Sequence, residues 1–245
     1  MSERDDIPWK RILLKLSGES LAGDDKFGID SDTISSTALE LKAIVDMGVE
    51  LAVVVGGGNF FRGMQAAAKG MDRVGSDYIG MLATAMNALA LQQALEAGNT
   101  PSRVLSALAI SGVAEPYVRA RALKHLKKGR VVIFAAGTGN PLFTTDTAAS
   151  LRALEIGADV MVKATRVDGV YDDDPEENPN ARKFDYLTFK DVLTRRLKVM
   201  DATAITLCEE NGMPIQVIDM HKPGNLQRMA LGDMIGTLIS DSLSS

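Results

Sequence analysis

Two lysines, an arginine and three glycine-bearing connections are the residues of this sequence best suited to chemistry, and all of them suit an anion. Lys15 runs into Leu16-Ser17-Gly18. An ammonium beside such a turn can neutralise a phosphoryl group while the Ser17 and Gly18 amides donate hydrogen bonds to it. An ordinary exposed lysine beside a turn would read the same way. Gly56-Gly57-Gly58-Asn59 follows an apolar run and leads through Phe60 and Phe61 to Arg62. Three glycines let backbone approach an anion, and a guanidinium offers a fork matched to phosphate oxygens. A tight connection between two elements could use the same glycines. From Ala136 the chain reads Gly137-Thr138-Gly139-Asn140-Pro141-Leu142-Phe143-Thr144-Thr145-Asp146, bringing polar donors to the start of a helix, where negative charge is favoured. Thr144 or Thr145 could cap that helix, but the run holds more polar groups than a cap requires. Lys163-Ala164-Thr165 places a second lysine at the end of an apolar run, ahead of Asp168-Gly169-Val170-Tyr171 and the acidic Asp172, Asp173 and Asp174. That acidic loop lacks the central glycine and terminal glutamate of an EF-hand and reads as solvated.

The elements that must position these residues are legible as alternating patterns. Short runs rich in Val, Ile and Leu at 12–16, 51–55, 131–135, 160–163 and 215–218 read as buried strands. Amphipathic stretches at 32–47, 76–97 and 116–128, each followed by a glycine, read as helices. Such alternation predicts a three-layer α/β/α sandwich with a mostly parallel central sheet and ligands at the carboxyl ends of its strands. The stretch 172–182, with Pro175 and Pro179, reads as a surface loop near the site. No G-x-x-x-x-G-K-[ST] run occurs, and no G-x-G-x-x-G follows the first strand, which disfavours the P-loop and dinucleotide-binding classes.

Composition narrows the classes further. A chain of 245 residues, 46% hydrophobic and 24% charged, suits one globular domain spanning 1–245. One cysteine, Cys208, and two histidines give neither an internal disulfide nor a structural zinc set, which fits a reducing, cytoplasmic location. The first ten residues are polar and charged, without the apolar stretch of a signal peptide. The apolar region at 81–91 is too short to span a membrane. A net charge of −5 argues against a nucleic-acid polymer as partner.

With these segments assembled, the chain resembles the bacterial uridylate kinases of the amino-acid kinase superfamily over nearly its whole length. The resemblance rests on Lys15-Leu16-Ser17-Gly18-Glu19, on Gly56-Gly57-Gly58-Asn59 with Arg62-Gly63, on Thr138 to Pro141 continuing to Thr144-Thr145-Asp146, and on Lys163-Ala164-Thr165 with Val167-Asp168-Gly169-Val170. Asp77, ahead of Gly80-Met81-Leu82-Ala83-Thr84 and Asn87, fits as well. It implies transfer of the ATP γ-phosphate to UMP, a magnesium requirement, and a hexamer built from dimers. The acceptor side would lie mainly in the N-terminal part and the ATP side mainly in the C-terminal part. Implied ATP contacts are Lys15, Leu16, Ser17, Gly18, Gly58, Arg62, Thr165, Tyr171 and Asp174. Implied UMP contacts are Gly57, Asp77, Thr138, Gly139, Asn140, Pro141, Leu142, Phe143, Thr144 and Thr145. The implied transfer centre is Lys15, Arg62, Asp146, Lys163 and Asp201, with no direct protein ligand to the metal. GTP activation and UTP inhibition are family properties, the former associated with Gly23, Asp24, Asp25, Lys26, Phe27 and Gly28. Arg103 and Arg130 are further anion-binding candidates, whereas Gln92 and Glu96 stand where some activated relatives carry arginine and histidine.

The chemistry agrees with that division, since phosphoryl transfer asks for positioning and charge neutralisation rather than a covalent group. Asp77 suits a ribose diol, which a carboxylate can accept twice, and also suits the first turn of a helix. Two alternatives stay open: a relative phosphorylating a carboxylate or carbamate, and a non-catalytic nucleotide sensor. The expected helix at 76–97 carries two apolar arcs, Ile79, Leu82, Met86 and Leu89 against Met81, Leu91 and Leu95. Two such arcs point to a subunit contact in a homo-oligomer, with Leu91 expected in that contact.

Overall fold

In the computed structural model the described residues are 7–25, 27–62 and 70–241. The expectations for Lys26 and Gly63 fall outside them. The apolar runs form strands that are buried on both faces, which is why they read as continuous rather than alternating. They are β1 (Arg11–Leu16), β2 (Glu50–Val55), β5 (Val131–Ala135), β6 (Val160–Thr165) and β10 (Ile215–Asp219), joined in the sheet by β3 (Ser102–Ser106), the short edge strand β4 (Glu115–Pro116), β9 (Tyr186–Leu187) and β11 (Thr237–Ile239). One sheet orders them β4-β3-β5-β2-β1-β6-β10-β11-β9. Its pairings are parallel except that of β10 with β11. A separate antiparallel hairpin, β7 (Val170–Tyr171) with β8 (Lys183–Phe184), carries the acidic loop expected at 172–182.

Seven α-helices cover the sheet among the described residues: α1 (Ser31–Asp46), α2 (Arg73–Ala97), α3 (Arg119–Leu126), α4 (Thr145–Ile156), α5 (Phe189–Thr194), α6 (Ala202–Glu210) and α7 (Asn225–Ala230). On one face Ile12, Leu14, Val53 and Val55 pack with Leu41 of α1, Leu91 of α2 and Leu226 of α7. On the other Leu13, Val54 and Phe134 pack with Ala122 of α3, Ala153 of α4 and Ile205 of α6. The expected three-layer sandwich is therefore present.

Three boundaries and one burial assignment differ from expectation. Helix α2 begins at Arg73 because Asp72 caps it, accepting from the Gly75 amide at 2.6 Å. That leaves Asp77 in the second turn rather than the first. Helix α3 starts later than 116 because Glu115 and Pro116 pair with β3 at the sheet edge, the position in a sheet where a proline is tolerated. Strand β6 continues to Thr165. On α2, Leu91 and Leu95 are fully buried and Met81 nearly so, whereas Leu82 and Met86 are about half exposed. Leu91 therefore belongs to the subunit's own core, and the free apolar face is that of Ile79, Leu82 and Met86. Leu89, expected on that face, packs partly against the core instead.

Candidate active site

Strands β1 and β6 are neighbours, and their register sets Lys15 directly opposite Lys163. Both side chains meet Asp146 in the first turn of α4, Lys15 Nζ lying 3.0 Å from Oδ1 and Lys163 Nζ 2.7 Å from Oδ2. Thr144 caps that helix, accepting from the Asp146 and Thr147 amides at 3.1 and 3.2 Å, so the capping and functional readings of this run coexist. Burial would raise the Asp146 pKa, but Lys15 and Lys163 overcome it and hold the carboxyl below its ordinary value. Burial also lowers the Lys163 pKa, with Asp146 opposing and Lys15 adding to the fall. Two ammonium groups against one carboxylate leave a net positive centre, suited to the charge of a transferring phosphoryl group. Lys163 Nζ donates in addition to the Val199 carbonyl.

Around this centre the glycine segments meet closely. A Cβ on Gly18 would collide with the Asn59 side-chain oxygen and lie 2.7 Å from the Gly56 carbonyl. Any larger residue there would push the two turns apart. Ser17 caps the 3₁₀ turn Gly18–Leu21. Leu16 is buried in the core, so any contact it makes with ATP must go through its backbone. Arg62 pairs with Glu19, whose role as its counter-charge the sequence alone does not show.

A cavity of about 420 Å³ opens on one side, lined by Gly57, Gly58, Arg62, Asp77, Thr138 and Phe143 among others. Gly58 and Arg62, expected as ATP contacts, line this cavity together with Gly57, Asp77 and Thr138, expected as UMP contacts. Thr144 and Thr145 line it too, while Gly139, Asn140, Pro141 and Leu142 form the outer turn of the loop. Asp77 takes both carboxylate oxygens to Arg73 Nε at 3.0 Å and accepts from the Leu142 amide at 2.8 Å. It therefore ties the loop to α2. Arg73 was missed, although its i,i+4 spacing to Asp77 was a usable signal. Asp201 caps α6 and accepts from Thr144 and Thr147 hydroxyls, the latter at 3.0 Å. Its contacts are those of a positioning residue.

A second cavity, of about 430 Å³, lies between the β7–β8 loop and residues 195–199. Thr165, Tyr171 and Asp174, expected as ATP contacts, line it together with Lys198 and Val199, which the sequence did not single out. Tyr171 donates to Asp168 at 2.5 Å. The effector candidates divide into two places. Arg103 and Arg130 converge at the sheet edge through Glu115 and His125, and Arg103 also approaches Glu96 at 3.5 Å. Gly23 to Asp25 form a 3₁₀ turn, and Phe27 packs edge-on against Phe60 at 5.9 Å.

A parallel sheet that delivers two cations to one carboxylate, beside two glycine-walled and loop-walled cavities, defines a phosphotransferase of the α/β/α sandwich kind. The chain belongs to the amino acid kinase family, whose model matches residues 10–219. It is 55% identical over 233 residues to the uridylate kinase of Legionella pneumophila (strain Paris), a match covering 95% of this chain and 94% of that one. Among solved structures, UMP kinase from Bacillus anthracis matches with a TM-score of 0.93 at 40% identity, over 96% of this chain and 98% of that one. Uridylate kinase from Archaeoglobus fulgidus matches with a TM-score of 0.72 at 30% identity, over 94% and 99%.

Proposed function

We propose that this chain transfers the γ-phosphate of ATP to UMP, giving ADP and UDP. The observation that carries the reading is the Lys15–Asp146–Lys163 cluster between the two cavities, Thr145 lining one and Thr165 and Val199 the other. A phosphate oxygen of UMP attacks the γ-phosphorus as the bond to the β–γ bridging oxygen breaks, and ADP leaves. The attacking phosphate is already anionic, so no base is required, and the need is for cations that offset mutual repulsion. Lys15, Lys163 and Arg62 meet it, with the Gly57 and Gly58 amides. Asp146 holds the two ammonium groups at fixed separation. We assign the acceptor to the cavity against α2 and ATP to the cavity beside the β7–β8 loop, and read 1–245 as one domain with the acceptor side mainly N-terminal.

Among the described residues no group of three or more His, Cys, Asp or Glu could hold a metal. Magnesium would be carried by the nucleotide phosphates, as is usual for this ion, and would neutralise their charge. Asp146, engaged by both lysines, would act on such an ion only indirectly, through the phosphates that carry it. No helix among the described residues is long and apolar enough to cross a membrane. The activity we propose is that of a cytoplasmic enzyme of pyrimidine nucleotide synthesis. GTP activation would act through Gly23 to Gly28 or the Arg103 and Arg130 edge, and UTP inhibition would compete for the acceptor cavity.

Assaying ATP and magnesium with UMP, CMP, glutamate, aspartate and carbamate tests the assignment. UMP should be preferred; equal turnover of UMP and CMP would remove the uridylate assignment, and preference for a carboxylate would replace the acceptor class. Asp77→Asn should raise KM for UMP about tenfold with kcat within about twofold, because a ribose contact is made equally in ground and transition states. Steady-state kinetics that show the loss in kcat instead would contradict a ribose role.

The exposed face of Ile79, Leu82 and Met86 is the surface we assign to a second copy of the chain, within a hexamer. Leu82→Glu is expected to dissociate the assembly without lowering subunit stability, as read by light scattering after size exclusion and by Tm. A wild-type monomer at micromolar concentration would exclude it.

A further inference from the structure

Two buried carboxamides lie under the phosphate-binding turns, outside the roles assigned above. Asn59, at the end of the glycine run, and Asn87, midway along α2, are 1% and 0% exposed. Each donates to the other's side-chain oxygen, Asn59 Nδ2 to Asn87 Oδ1 at 2.9 Å and Asn87 Nδ2 to Asn59 Oδ1 at 2.7 Å. The remaining donor of each amide goes to backbone: Asn59 Nδ2 to the Gly28 carbonyl at 2.6 Å, and Asn87 Nδ2 to the Gly56 carbonyl at 2.7 Å. Both side-chain amides thus have every donor used. The Gly28 amide returns a hydrogen bond to the Asn59 carbonyl at 3.1 Å.

The same Asn59 oxygen sits where a Gly18 side chain would be. The pair therefore touches three segments at once: the Lys15–Gly18 turn, the Gly56–Gly58 run and the segment that ends at Gly28. The glycines in these segments gain most from an outside contact, because glycine backbone loses more freedom on ordering than any other. A buried polar pair stabilises little by itself, but it permits only one arrangement in which all its groups are bonded.

We infer that Asn59 and Asn87 are positioning residues for phosphoryl transfer, holding the Gly18 and Gly57–Gly58 amides in register with Lys15. Neither asparagine needs to touch a nucleotide. The effect reaches the reaction through the Gly56 carbonyl and the Gly18 contact. Because the substrate's nucleoside parts are held elsewhere, loosening the pair should spoil alignment at the transferring group more than binding. This inference rests on the phosphotransferase reading of the site.

The test is Asn87→Leu, nearly isosteric, compared with Leu91→Ala, which opens the core one turn further along the same helix. Asn87→Leu should lower kcat by about 10- to 100-fold with both nucleotide KM values within about threefold, less than the loss seen on removing a donor that meets the reacting group itself. Leu91→Ala should lower Tm at least as far while leaving kcat, measured well below that Tm, within about twofold of wild type. An Asn87→Leu enzyme that keeps its kcat, or loses activity only in proportion to its unfolded fraction, overturns the proposal. Should it not fold, Asn87→Ser, which can still make one of the two donations, carries the same expectation with a smaller loss. Failure of both to fold would assign the pair to stability alone and also overturn it. Wild-type protein inactive on UMP would remove the underlying reading, and the inference with it, whereas an active wild type with an unaffected Asn87→Leu removes the inference alone.

Discussion

Asp146→Asn is expected to lower kcat by about 10²- to 10³-fold and to destabilise the fold by about 3–5 kcal/mol at neutral pH, the usual cost of removing one partner from a buried ion pair. The size follows from geometry. Lys15 and Lys163 converge on one carboxylate, and without it two ammonium groups face each other in a site where their side chains are only 12% and 14% exposed. The pH dependence has a definite sign. In wild type the Asp146 pKa is held below 3.8, so its contribution is complete above that ordinary value and is lost as pH falls through the lower folded one. In the variant Lys163 loses the anion that opposed its downward shift. A lysine with a depressed folded pKa adds no penalty above its ordinary value of 10.5. The penalty grows as pH falls from there through the folded value, and it is full below. Urea denaturation of both proteins at pH 7 and at pH 9.5 should therefore show the gap narrowing at the higher pH. A gap that widens, or no gap at either pH, would mean that the lysines find another counter-charge.

Lys15→Met should reduce kcat by about 10²- to 10³-fold while KM for UMP changes by less than about threefold. Methionine keeps most of the volume of the stem and removes only the charge. Asp146 retains Lys163, so the fold should keep most of its stability. The cation matters most when negative charge is redistributed between attacking and leaving oxygens, and this places the loss in kcat. Arg62→Ala belongs to the same kinetic class. Its side chain is half exposed and shares its charge with Glu19, so the loss should be the smaller of the two. Retained kcat with weakened UMP affinity in Lys15→Met would reassign Lys15 to acceptor binding.

Much of the fold was legible because burial on both faces makes parallel strands continuous in sequence, and glycine marks where helices stop. The ends of β1, β2, β5 and β6 could be named as anion sites from lysine and glycine placement alone. Register could not be read. Nothing local in Lys15 or Lys163 says that they stand opposite each other, since the pairing joins strands nearly 150 residues apart. The two arcs of α2 were visible, but periodicity cannot say which arc meets the sheet when both are apolar, and Leu91 was placed on the wrong side for that reason. Strand β3, reading Ser-Arg-Val-Leu-Ser, has polar ends that hide a buried centre. Asn59 and Asn87 were visible as motif residues. Their partnership depends on a side-chain contact across 28 positions, which spacing does not encode.

The Lys15–Lys163 register also decides how the molecule can fluctuate. Strand β1 is the middle strand of the nine, and β6 is its immediate neighbour. Amide protons there should exchange with solvent only when the whole sheet comes apart, because opening them locally would break ladders on both sides. The β7–β8 hairpin pairs through two residues on each strand and is tied to β11 through Thr237, which accepts from the Val170 amide at 2.8 Å and donates to the Phe184 carbonyl. In the phosphotransfer we propose, the two ammonium groups would keep their separation from one turnover to the next.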